Sequence, residues 1–266
     1  MAGRSPTAGW RVLERLRFQS HSGRVIRRHR ALQRIDFQRA SIVHPVLLLV
    51  TAYAALVFGI DLIADFWAAT FAFWLPHLAL PTVLETRSGT LLNVLPYAVA
   101  APAFAGRQPD FAIAWISLAA CVMAMSVAVA VLRRAALPLG YLVWAASLIQ
   151  LVATASFWLL PGAFTHTITS HVGSGLEFAL VLLLFTPLLL AFSYYVFDYP
   201  LLHKLCGSAV ILGGIILVTP YQYLMHVVLI DGASLIVMPV LYVLFGYLFS
   251  VAVFIALYAY AMSWEP

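Results

Sequence analysis

Five residues in the second half of the chain have the types that acid–base or metal chemistry needs: His166, His171, Glu177, His226 and Asp231. Imidazole and carboxylate together suit a divalent metal, with His166, His171 and His226 as nitrogen donors, or a general acid and base at a membrane surface. The spacing His-x4-His-x5-Glu departs from standard zinc patterns, in which a helical His pair is separated by three or four. Solvated loop histidines are the plainer reading of the same residues. Which reading holds depends on whether the fold makes them converge.

The most unusual local chemistry lies in TPYQYLMHVVLID, residues 219–231. Pro220 lacks a backbone donor, so inside a helix it kinks the chain and frees the carbonyl of Ile216 for a side chain, water or ligand. Gln222 and His226 are four apart and share one helix face just beyond that break. They either satisfy neighbouring helices or line a ligand site. His77 and Gln150 complete the polar set, each expected near the middle of an apolar segment.

Several chemistries lack their residues. No Asp, Glu, Lys or Arg is expected deep in a span, which argues against carboxylate-driven ion coupling and against a voltage sensor. Haem is disfavoured, because bis-histidine ligation needs axial residues on facing helices at matching depth and no span carries two interior histidines. There is no GxSxG, HExxH or GxxxxGK[ST] motif. Cys121 and Cys206 are expected at different depths and are not predicted to pair.

The elements that must position these residues are membrane spans. With 64% hydrophobic residues, 9% charged residues and a mean hydropathy of +0.97, the chain is excluded from the soluble globular class. Read against about twenty residues per helical crossing, the apolar runs give eight spans: 42–63, 66–84, 90–106, 111–132, 138–160, 177–197, 205–230 and 235–262. The expected fold is an all-α polytopic bundle, with 161–175 as its longest outer loop. Segment 66–84 holds two prolines and a dense aromatic cluster, which also suit an interfacial segment.

Orientation follows from the first forty residues, which carry ten of the fifteen Lys and Arg residues against only Glu14 and Asp36. A cationic segment of this kind resists translocation, so residues 1–40 form a cytoplasmic arm and 41–266 the bundle. The pair Arg133 and Arg134 should share the arm's side, which demands an even number of crossings before them and so makes 66–84 a span. The C-terminus is then cytoplasmic, the loop with Glu85 and Arg87 is an inner one, and Asp61 and Asp65, which mark the outer end of the first span, share the opposite face with the five candidate residues. No small-residue cleavage site follows the first apolar run, so that run is expected to stay as a span. The arm reads either as two short amphipathic helices on the inner surface or as a basic tail, with anionic lipid as its expected partner. No zinc, helix-turn-helix or stacking signature accompanies it, so nucleic acid is not expected.

The leading functional expectation is an integral inner-membrane subunit or small transporter-like component, working with other membrane subunits. The alternative is a membrane enzyme, with or without a metal, acting at the outer face on a lipid-linked or hydrophobic substrate.

Overall fold

A computed structural model describes residues 40–91, 93–132, 137–161, 167–196 and 199–264. The basic arm, Arg133, Arg134 and His166 lie outside the described residues. Among the described residues six helices are long and apolar enough to cross a membrane, and one β-hairpin accompanies them.

Helix α1 runs unbroken over Ala40–His77 and absorbs the segments read as two spans, 42–63 and most of 66–84. Asp61 and Asp65 were expected to mark an outer loop between them. The sequence DLIADF around them contains neither Gly nor Pro, and exposed carboxylates do not interrupt a helix. At about 1.5 Å per residue α1 is roughly 57 Å long, well beyond the ~30 Å hydrocarbon core. Its end is well defined. Ala79 takes a left-handed conformation (φ 55°), Leu80 N donates to Leu75 O at 3.0 Å and Ala79 N to Pro76 O at 3.1 Å. This is a Schellman stop, followed at once by Pro81.

The segment 90–106, read as a third span, instead supplies most of a hairpin. Strands β1 (Leu84–Leu91) and β2 (Leu95–Pro102) pair antiparallel with Glu85 opposite Ala101 and Gly89 opposite Tyr97. Pro96 and Pro102 oppose helix, whereas alternation in β2 buries Tyr97, Val99 and Ala101. That face packs on α1 and on the start of α4.

Helices α2 (Phe111–Val127, running on as a π turn over Ala128–Leu132) and α3 (Leu137–Leu159) form a pair. Asp110 caps α2 by accepting from Ile113 N at 2.7 Å. Helix α4 (Ile168–Val196) begins nine residues earlier than the sequence implied. Thr167 and Ser170 cap it reciprocally, Ser170 N donating to Thr167 Oγ1 and Thr167 N to Ser170 Oγ. Helix α5 (Leu201–Ala233) leads into α6 (Leu235–Met262), which is composite: a 3-10 turn, one α turn, a π-helix over Leu241–Leu248 and an α-helix over Phe249–Met262.

The main core joins α1, α4, α5, α6 and the hairpin around Trp67, Phe71, Leu176, Leu183, Ile211 and Val227. A second, small cluster of Ala114, Phe157 and Ile236 ties α2 and α3 to the start of α6. The requirement for an even number of crossings ahead of Arg133 is met by α1 and α2 as well as by four spans. Glu85 and Arg87, expected in an inner loop, lie on strand β1 of the hairpin.

Candidate functional site: a histidine pair on a π-helix

Helix α5 continues through Pro220. The Ile216 carbonyl that the proline cannot engage accepts a hydrogen bond from Trp67 Nε1 at 2.9 Å. Trp67 is fully buried, so α1 and α5 are pinned in register near the middle of α5.

One turn beyond the proline, Gln222 and His226 face the π-helix of α6. The wider π turn directs the carbonyls of Phe245 and Gly246 toward α5. Gln222 Nε2 donates to Phe245 O at 2.6 Å and to Gly246 O at 3.0 Å, while Ser250 Oγ donates to Gly246 O at 2.8 Å. His226, which has no exposed surface, places Nε2 3.1 Å from Phe245 O. A carbonyl only accepts, so Nε2 carries the hydrogen, and in a neutral ring Nδ1 is then the acceptor.

That acceptor meets His171 Nε2 at 3.1 Å. His171 was expected in a solvated outer loop. It lies instead in the first turn of α4, 3% exposed. The bond fixes its tautomer as well: Nε2 donates, and Nδ1 carries the lone pair. The two imidazoles thus form a directed hydrogen-bonded chain ending on a backbone carbonyl. Room for this pairing comes from Gly175, where a Cβ would overlap the Tyr223 ring.

Around the pair stand tyrosines that sequence reading did not single out. The Tyr242 ring lies 5.6 Å from that of His171 and the Tyr223 ring 5.1 Å from that of His226. Tyr242 and Tyr247 are joined hydroxyl to hydroxyl. Glu177 interacts electrostatically with Tyr247 and with Tyr97 of the hairpin. Burial first, and then the adjacent Glu177 carboxylate, push the Tyr97 phenol above its ordinary pKa, with Arg87 opposing. The available clue was the density of aromatic residues between Tyr242 and Tyr247. It is silent about partners, because five-residue spacing faces one side only in a π-helix.

The other candidates separate from this centre. Asp231 is exposed at the end of α5, five residues past His226 and therefore on another helix face. His77, expected at mid-depth, is exposed in the last turn of α1, its Nδ1 2.6 Å from Phe73 O, because the span assigned to it ends there. Gln150 is buried away from the histidine pair, where it bridges α2, α3 and α6. Among the described residues no group of three or more His, Cys, Asp or Glu is placed to hold a metal ion. His171 and His226 could contribute two imidazoles to one. Cys121 is buried, Cys206 is exposed, and neither forms a disulfide.

Taken together, the long apolar helices and a polar centre enclosed between them define a polytopic α-helical membrane protein. Comparison with family models, with curated proteins and with solved structures finds no match to this chain.

Proposed function

We propose that the chain is an integral subunit of a larger membrane assembly, possessing a cytoplasmic basic arm and meeting a partner along α1. The observation that supports this is the position of Asp61 and Asp65. Both are exposed, and they lie two and six residues before Trp67, whose partner Ile216 is the sixteenth of α5's 33 residues. That register puts the carboxylates about 3 and 9 Å along the axis from the middle of α5. An isolated bundle would present them to hydrocarbon, at a cost of about 2.5–3.5 kcal/mol for a centrally placed Asp. A neighbouring helix carrying basic or hydroxyl groups removes that cost.

Mild-detergent extraction from native membranes tests the proposal. The wild-type chain is expected in a complex well above its own 29.2 kDa, and the double variant Asp61→Leu/Asp65→Leu is expected alone. A wild-type chain that runs alone, or a double variant that keeps its complex, would refute it.

The second reading is an enzyme at the extracytoplasmic face, and the His171–His226 pair is what favours it. Stoichiometric metal in the purified chain, lost in both His171→Ala and His226→Ala, would replace the first reading with this one.

A further inference from the structure

We propose that the cavity bounded by α2, α3 and the α5–α6 junction is a lipid site, which takes from the bilayer an anionic phospholipid bearing a free headgroup hydroxyl. The cavity measures about 540 Å³, within the ~300–1,000 Å³ usual for ligand pockets. Its walls are small or apolar along Ala120, Ala124 and Val240. Ile116 on its edge is 69% exposed, so the cavity opens sideways, where lipid lies.

Two polar features define what the cavity would hold. Arg107 stands exposed at the rim, its position fixed by Leu235 N donating to its backbone carbonyl at 3.0 Å. A guanidinium there suits a phosphate. Gln150, only 8% exposed, lines the same cavity. Its amide nitrogen donates to Ser117 Oγ at 2.9 Å and to Ile236 O at 3.0 Å. Both amide hydrogens are thereby used, while Oε1 accepts no hydrogen bond among the described residues. An acceptor that lines the cavity in that state is matched by an O–H donor on the occupant. The Arg107 backbone is tied to Leu235 and the Gln150 amide to Ile236, so one turn of α6 anchors both the rim and the polar wall of the cavity. Phosphate, hydroxyl and acyl chain are the groups that match this layout, as in phosphatidylglycerol. The site stands apart from the α1 face and does not depend on the assembly reading.

The test reconstitutes the full chain in vesicles of equal phosphatidylcholine and phosphatidylglycerol, re-extracts it gently and counts bound lipid by native mass spectrometry. Wild type should retain phosphatidylglycerol over phosphatidylcholine by about tenfold, the worth of one charge-assisted contact. Arg107→Gln should bring the ratio near parity, and Ala120→Phe, which fills the cavity, should reduce both lipids. In a second mixture, phosphatidylglycerol should outcompete phosphatidic acid in wild type and lose that advantage in Gln150→Leu. Parity of charged and neutral lipid in wild type, or an unchanged ratio in Arg107→Gln, overturns the site. Equal retention of phosphatidic acid and phosphatidylglycerol overturns the hydroxyl assignment. Should Ala120→Phe fail to insert, the exposed Arg107→Gln decides alone.

Discussion

Helices α4 and α2 differ in how they spend their sequence, and that contrast divides the molecule. Thirteen residues of α4 are buried, including His171, Thr186 and Tyr194, whereas α2 buries only Ala114 and Cys121. The first region is a closed unit in which polar side chains are consumed between α4, α5 and the π-helix. The second, α2 with α3, hangs on a three-residue cluster and on Gln150 reaching Ile236. Equal hydrophobicity therefore hides two roles: one set of apolar residues faces protein, the other faces lipid and a cavity. In a membrane the distinction comes from packing and hydrogen bonds, since lipid is as apolar as the helices themselves.

The contrast can be broken most severely at Gly175. Replacing it with Ala drives a methyl into the Tyr223 ring, and a loss of about 3 kcal/mol or more is expected, read as a lower thermal midpoint in detergent. The equivalent small-residue change in the pair, Ala146→Val, should leave that midpoint nearly unmoved. Next comes His226→Phe, which removes the acceptor of His171 Nε2 and one of the two donors to the Phe245 carbonyl; about 2 kcal/mol is expected. Faster hydrogen exchange should then be confined to the π-helix. A smaller effect, about 1 kcal/mol, is expected for Trp67→Phe, which leaves the Ile216 carbonyl unsatisfied in the closed unit. Gln150→Leu sharpens the contrast from the other side, loosening α2 and α3 in hydrogen exchange with no change in exchange at His171.

The smallest predicted effect concerns pH. The Tyr97 phenol has a folded-state pKa above its unfolded value of about 10. Its contribution to stability is therefore fully present below pH 10 and is lost as pH rises through the higher folded value. Ultraviolet titration should lose one late-ionising tyrosine in Tyr97→Phe, and an unchanged late phase would refute the raised pKa of Tyr97.

Much of this was legible from residue types. Pro220 announced a free carbonyl at Ile216, and the i, i+4 pair Gln222 and His226 was correctly placed on one face. What failed was the reading of hydrophobic runs as spans. The run 90–106 is apolar because β2 buries one face against the bundle, and hydropathy sums without seeing the alternation. Asp61 and Asp65 looked like a loop because charge was taken for an interruption, although helix propensity never falters there. His171 was assigned to an outer loop since nothing local betrays that the Thr167–Ser170 cap starts a helix three residues before it. The tyrosines stayed hidden because their convergence depends on a π turn, which no residue pattern specifies.

The hydrogen bond between Trp67 and Ile216 also has a history in time. Its partners are 149 residues apart in the chain, and at the usual 5–20 residues per second a ribosome needs roughly 7 to 30 s to travel between them. For that interval the first helix sits in the membrane with its indole N–H awaiting an acceptor. The strut between α1 and α5 is thus among the late acts of assembly, and α1 must be held by something else until α5 arrives.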